Sequence, residues 1–237
     1  MTERSAESPT PPAASEAVHV SFLLDRSGSM EPIRADVIGG FNQFLREQQA
    51  RPGVCRMTLV QFDSQAPFEI LVDAADVQEV RPLDAARYEP RAGTPLLDAL
   101  GALLEHAERR ARGRVEDAIV VVFTDGEENA SACWKREAIF ERIAALKARG
   151  WAFVFLGANQ DAYAEGGGLG FAQGSTSSWD ARSSGTAFTQ LSRSLGSFRG
   201  KGRSERVSQK LEFFEGMKEA ESNSESPPKK RADDIKH

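Results

Sequence analysis

The chain has 237 residues, 35 of them Asp or Glu against 30 Lys or Arg, for a formal net charge of −5. A chain of that length holds one substantial core, or one domain with tails. The acidic balance argues against a general nucleic-acid binder, and the longest wholly apolar run falls far short of the ~20 residues that cross a bilayer.

Residues 1–17 are rich in Ser, Pro, Ala and Glu and lack an apolar stretch. They read as a disordered segment and not as a secretory signal. Val18-His19-Val20-Ser21-Phe22-Leu23-Leu24 is the first predicted strand. Ile33, Val37, Ile38, Phe41, Phe44 and Leu45 recur at helical spacing and predict a helix over 33–49. Arg51-Pro52-Gly53 stops it. Val54–Phe62 is a second strand. Phe68–Val72 is a third, antiparallel to its neighbour because only about five residues separate the two. Leu96, Leu97, Leu100, Leu103, Leu104 and Ala107 mark a second helix. Ala118–Phe123 is apolar on both faces, as a buried parallel strand must be. Ile139, Phe140, Ile143 and Leu146 mark a third helix ended by Gly150, and Trp151–Leu156 is another buried strand. Phe188, Leu191, Leu195 and Phe198 mark a late helix. Strands alternating with helices imply a doubly wound, Rossmann-like α/β fold: a mainly parallel central sheet with one antiparallel edge strand and helices on both faces. The domain is expected over 18–200, followed by a charged, Ser-rich tail over 201–237. In that tail Val207, Leu211, Phe214 and Met217 recur at helical spacing, either an amphipathic helix near 205–220 that docks or a frayed one. Pro227-Pro228-Lys229-Lys230-Arg231 reads as part of a solvated, charge-balanced end and not as a targeting patch.

Three loops carry oxygen-bearing side chains in a pattern that suits a metal. Asp25-Arg26-Ser27-Gly28-Ser29 follows the first strand, Gly93-Thr94-Pro95 precedes the second helix, and Thr124-Asp125-Gly126 follows the strand Ala118–Phe123. Asp25, Ser27, Ser29, Thr94 and Asp125 make an all-oxygen set without thiol or imidazole, the donor chemistry of Mg²⁺, or Mn²⁺, and not of zinc or copper. Gly28 permits a tight bend, so alternate residues can turn their oxygens to one side. Asp25 and Asp125 each end a parallel strand, where open α/β sheets form their binding sites. Each piece has a plainer reading: Ser27 and Ser29 as turn caps, Asp125-Gly126 as a turn, and Thr94-Pro95 as a helix N-cap followed by a first-turn proline.

The three loops together resemble the von Willebrand factor A (VWA) domain and its metal-ion-dependent adhesion site (MIDAS): Asp-x-Ser-x-Ser, then a distant Thr, then a distant Asp. The resemblance covers roughly Val18 to Arg199, and the run Leu156-Gly157-Ala158-Asn159-Gln160-Asp161-Ala162 is similar to stand-alone bacterial or phage-type members. It implies that the Ser and Thr hydroxyls bind the cation directly, that the Asp residues act partly through water, and that a partner's carboxylate completes the shell. Asn159 or Asp161, at the next strand end, could touch that partner; a helix cap is the plainer role.

Other features carry less. Gly166-Gly167-Gly168-Leu169-Gly170 is neither a Gly-x-Gly-x-x-Gly nor a Walker match and reads as a flexible connection. Glu127 and Glu128 read as solvated loop acids. Asn129-Ala130-Ser131 matches a glycosylation sequon that a cytoplasmic chain would not use. Cys55, in an apparent strand, and Cys133, in a loop, fit a reducing cytoplasm. His19, His106 and His237 form no apparent Ser-His-Asp or Cys-His set. The expectation is therefore a non-enzymatic, Mg²⁺-dependent protein-binding module whose protein ligand supplies a carboxylate, with neither nucleic acid nor membrane as partner. The alternative is a Mg²⁺-dependent hydrolase of phosphate esters.

Overall fold

β1, Val18–Asp25, has all eight residues buried, because it lies in the middle of a sheet covered on both faces. In the computed structural model, residues 17–125, 128–158, 161–179, 184–210 and 212–214 are described. The segment expected to be disordered lies outside them apart from Ala17, which is buried and accepts the Asp117 N–H at 2.9 Å. Six strands stand in the order β3-β2-β1-β4-β5-β6, with β2 Cys55–Phe62, β3 Glu69–Asp76, β4 Asp117–Thr124, β5 Ala152–Ala158 and β6 Thr176–Trp179. All pairings are parallel except β2 with β3, the expected antiparallel edge. The chain winds from β1 out to β3, then returns to β4 and winds the other way. The switch between the two directions falls between β1 and β4.

Helices α1 (Arg34–Gln49), α2 (Leu96–Ala111), α3 (Arg136–Ala148), α4 (Ala162–Gly168), α5 (Ser184–Gly200) and α6 (Arg203–Gln209) surround the sheet. The strand alternation sorts the core into two layers. Val18, Val20, Phe22 and Leu24 pack with α1 and α5; Leu23, Val60, Val120 and Val122 pack with α2 and α3. Phe22 meets Phe41 edge-on at 5.6 Å, and Phe123 stacks on Phe188 at 4.6 Å and on Trp179 at 4.8 Å. Such ring pairs add to the stabilisation from area burial alone.

Several expectations need correction. Phe140 is 47% exposed, because α3 turns Ile139, Ile143 and Leu146 inward and Phe140 sits one position round the helix. β3 runs on to Asp76 and is kinked, with Ala74 at φ 49° and register shifts against β2. β6 escapes sequence reading because Thr-Ser-Ser-Trp is neither apolar nor alternating. Gly166, Gly167 and Gly168 are not a loose connection: they form the last turn of α4.

The largest difference lies past residue 200. A helix is present there, but Val207 is 62% exposed, while Arg206 and Gln209 are buried. Leu211 and Met217 of the expected stripe lie outside the described residues. Arg206 reaches Asp117 at 2.9 Å and donates to the carbonyls of Phe198 and Arg199 at 2.9 and 3.0 Å. Lys210 meets the other Asp117 oxygen at 2.6 Å. Phe213 and Phe214 are buried beyond it, with Phe213 against Phe198. The packed unit therefore runs past the boundary expected at 200. The signal was a cation aimed at the first residue of β4, which no hydrophobic periodicity reports.

A chain ending at residue 200 should consequently be damaged, not merely trimmed. It leaves the buried Asp117 carboxylate without either cation and uncovers Phe198. Arg206→Ala alone should cost about 3 kcal/mol, as removal of one partner from a buried pair does. Thermal melting of both against the full chain is the measurement, and an unchanged midpoint for either would contradict the docking.

Candidate metal centre

β1 ends at Asp25, whose side chain is fully buried. One carboxylate oxygen, Oδ1, accepts the Ser27 N–H at 2.7 Å, and Oδ2 accepts the Thr124 hydroxyl at 2.6 Å. Thr124 stands beside Asp25 because the β1–β4 register, which pairs Leu24 with Phe123, continues one step further. The Ser27 and Ser29 hydroxyls lie 3.0 Å apart, and Ser29 Oγ donates to Asp125 Oδ1 at 2.8 Å. Four of the five expected ligands thus form one hydrogen-bonded chain across the switch between β1 and β4. Gly28 lets the loop pass close to its neighbour: its N–H donates to the Ala92 carbonyl at 3.0 Å, and a Cβ there would sit 3.3 Å from that oxygen.

Thr94 is buried but stands outside that chain. It is held through its backbone: the N–H donates to Asn129 Oδ1 at 2.8 Å, and the carbonyl accepts the Asn129 N–H at 3.2 Å. Gly93 precedes it because a Cβ would come 2.9 Å from Asn129 Oδ1. Thr94 does not cap α2. The N-cap position is Pro95, and the exposed amides are taken by the third loop: Leu97 N–H by Glu128 Oε2 at 2.8 Å, and Asp98 N–H by Ser131 Oγ at 3.0 Å. Asp98 in return accepts the N–H groups of Ala132, Cys133 and Trp134. Glu128, expected as a solvated acid, is thus a capping group, since an anion is favoured at a helix N-terminus. The sequon residues Asn129 and Ser131 belong to the same lock.

Sequence reading also missed Asp63, just beyond β2. It is fully buried, and Oδ2 lies 2.6 Å from Arg26 Nη2 and 3.1 Å from Arg91 Nε. Oδ1 accepts the N–H groups of Gln65 and Ala66 at 2.7 and 2.9 Å. Arg26 belongs to the first metal loop and Arg91 leads into the second, so one carboxylate ties both to the end of β2. Tyr88, equally missed, donates its hydroxyl to the Asp25 carbonyl at 2.6 Å. Thr124, next to Asp125, was the one such residue within reach of sequence reading; the others lie in unrelated segments.

The field of the site favours a cation. Burial pushes the Asp25 carboxyl up to about 7, the Asp125 charge adds to this, and the Thr124 and Ser27 hydrogen bonds oppose it. Burial raises Asp125 as well. Two carboxylates drawn together at a buried strand end want positive charge. Among the described residues no three His, Cys, Asp or Glu side chains gather as a metal cage. The donors are two carboxylates with hydroxyls, a set that fits a hard cation and leaves room in its shell.

β5 ends on the same rim. Asn159 lies outside the described residues. Asp161 occupies the N-cap position of α4, but its side chain caps nothing. A cavity of about 540 Å³ opens here, and Asp125 and Asp161 are both among its lining residues.

Residues 19–186 match the family model described as the von Willebrand factor type A domain. No curated protein matches the sequence. Among solved structures, the chain is similar to proximal thread matrix protein 1 from the mussel byssus with a zinc-occupied MIDAS motif, at 17% identity and a TM-score of 0.52, over 73% of this chain and 46% of that one. It is similar to the manganese-loaded TRAP protein of Plasmodium vivax, at 18% identity and 0.50, over 73% and 72%. It is also similar to the pilus adhesin SpaC of Lactobacillus rhamnosus GG in its open conformation, at 14% and 0.58, over 76% and 30%. The chain spans less than half of the mussel protein and of the adhesin. At these identities the likeness is one of fold.

Asp63→Asn keeps an acceptor for the Gln65 and Ala66 amides but leaves Arg26 with only the half-exposed Glu69, 2.8 Å from its Nη1, as counter-charge, and should cost up to about 3 kcal/mol. Burial raises the Asp63 carboxyl, but the Ala66 and Gln65 amides and Arg26 outweigh it, so the net shift is downward. The stabilisation is therefore complete above the unfolded value near 3.9 and fades as pH falls through the lower folded value. Melting of both proteins from pH 3 to 7 should show a gap that is constant above about pH 5 and narrows below about 4. A gap independent of pH would remove the ion pair as its cause.

Proposed function

The chain belongs to the von Willebrand factor type A domain family, and from that premise we propose that it is a metal-dependent protein-binding module, not an enzyme. Asp25, Ser27, Ser29 and Asp125 would hold Mg²⁺ or Mn²⁺, with Thr94 joining when a partner is engaged. The observation that carries this reading is the hydrogen-bonded chain of these four residues, with the Ser27 amide on Asp25 and the hydroxyls linking onward to Asp125, at the switch between β1 and β4. Open α/β sheets bind ligands at that place. When bound, the cation supplies an electrophilic point to which a partner's carboxylate can add.

The chain's own residues set the terms. The Asp25 carboxylate holds the Ser27 amide, which fixes the loop so that both serine hydroxyls stand together. Asp125 receives one of them across the rim. Asn129 holds Thr94 by its backbone, which leaves the hydroxyl to reorient without loss of the loop. The partner is a protein presenting an acidic side chain, in a cytoplasmic setting. The zinc-occupied and manganese-loaded relatives and the pilus adhesin support metal and protein ligands by analogy of fold. Hydrolysis of phosphate esters is the weaker reading, because it needs a base or nucleophile beside the metal and no observation supplies one.

Calorimetric titration with Mg²⁺ and Mn²⁺ is the first arm of the test, and capture of partners from a lysate with and without chelator is the second. Asp25→Ala and Asp125→Ala should lose more than the roughly 10–100-fold that removal of an outer partner costs a metal site. Thr94→Ala should keep most of the free-state metal affinity yet weaken capture. Unchanged metal binding in both Asp variants would overturn the assignment. Equal loss of metal affinity in the Thr94 and Asp25 variants would overturn the ordering.

A further inference from the structure

The cavity of about 540 Å³ shares Asp125 with the candidate metal centre, and most of its lining belongs to other segments. Its volume lies within the roughly 300–1,000 Å³ usual for ligand pockets. Thr124 and Asp125 line it and also belong to the third of the metal loops, so the opening adjoins the candidate metal centre. The floor is apolar and built from small side chains around the buried Phe155 ring, with Ala158 and Ala162 beside it.

The rim decides what kind of side chain the floor receives. Glu128, Asp161 and Glu165 face a single cation, Arg136. Glu128 has both oxygens committed to the α2 lock: Oε2 to Leu97 N–H and Ser131 Oγ, Oε1 to the amides of Ala130 and Ser131. Arg136 and Glu165 cancel each other at 2.9 Å. Asp161 is left over: its carboxylate caps nothing, and among the described residues it meets no hydrogen-bond or ion-pair partner. A bound cation neutralises Asp125 and leaves Asp161 as the uncompensated charge. An acidic side chain in the cavity would meet Asp161 and Glu165. A long aliphatic stem ending in a positive charge lies on the Phe155 floor and reaches Asp161 with its head, as Lys and Arg stems lie along apolar surface while the head stays wet.

We propose that this cavity is the second half of the partner site, and that it takes a lysine or arginine side chain from the same protein segment whose carboxylate adds to the cation. The proposal rests on the metal-presenting reading for the carboxylate half alone. It makes the recognised feature a pair, one acidic and one basic residue close together in the partner's chain, and it assigns the basic half to Asp161.

The probes are two series of short blocked peptides, followed by NMR titration of the Mg²⁺-loaded full chain. In the first, one lysine is walked along either side of a single glutamate; in the second, norleucine replaces the lysine. A glutamine replacing the glutamate reads the metal half by itself. In at least one register the lysine peptide should bind about fivefold more tightly than its norleucine twin, the upper range for one exposed ion pair. Asp161→Asn should bring it down to the norleucine level, and Ala164→Phe, which fills the cavity, should weaken both. A parallel titration uses N-acetyl-lysinamide against its norleucine analogue on protein freed of metal with a chelator. If the glutamine control binds as well as the glutamate peptides but N-acetyl-lysinamide still shifts Ala158 and Ala164 in an Asp161-dependent way, the metal reading falls and the cation site stands. If lysine and norleucine are equal in every register and in the parallel titration, or if the preference survives Asp161→Asn, the cation site is overturned.

Discussion

A carboxylate buried at the end of a central strand is the constraint around which the rest of this molecule is arranged. Asp25 is fully enclosed, and a charge in that position is costly unless it is hydrogen-bonded and neutralised. The chain supplies the hydrogen bonds from two directions. Thr124 donates from the neighbouring strand, and Ser27 donates from the loop that Asp25 itself begins. Among the described residues no cation pairs with it, and burial holds the carboxyl up at about 7. Parallel strands β1 and β4 end side by side where the winding of the sheet reverses, so Asp125 is brought to the same place and sharpens the same need. The site is an electrostatic demand created by topology.

Meeting that demand with loops raises a second problem, since loops are mobile unless tied down. The two ties have different chemistry. The first is ionic: Asp63 collects Arg26 and Arg91, so the first metal loop and the approach to the second share one buried anchor at the end of β2. The second is made of neutral and capping hydrogen bonds, in which Asn129 grips the Thr94 backbone while Glu128 and Ser131 cap α2. The division leaves the hydroxyls unburdened by structural work. Thr94 keeps its place through its peptide groups, and the serine hydroxyls bond to one another and to the two carboxylates of the set, Ser27 to Asp25 and Ser29 to Asp125. Side chains held in place by their backbones can change their contacts without unfolding the loops.

The opposite end of the sheet is closed by ionic means too. Asp117 opens β4 inside the protein, and the pairing cations come from more than eighty residues further on, Arg206 at a sequence separation of 89 and Lys210 at 93. That contact recruits α6 and the Phe213–Phe214 pair to the domain. Both ends of β4 thus adjoin a buried aspartate: Asp117, paired with two cations from the chain, and Asp25, which accepts the Thr124 hydroxyl.

By itself the sequence determined the α/β class, the antiparallel edge, the boundaries of the main strands and helices to within a few residues, and the oxygen-bearing residues of three loops. It could do so because each of these rests on local pattern: two-sided apolar runs for buried strands, helical spacing for α1, α2, α3 and α5, and short motifs directly after strand ends. Only the tertiary structure decided what distant residues do for one another. Asp63, Tyr88, Asn129 and Glu128 look like ordinary loop or turn residues along the chain, and become the fixings of the site when four separate segments meet. Arg206 reads as one charge among many in a polar tail, and is one of the largest fully buried side chains in the protein. Hydrophobic periodicity records which face of an element is apolar. It carries no record of which buried charge a distant residue must answer, because that pairing depends on strand order and register, which arise only when the whole sheet is assembled.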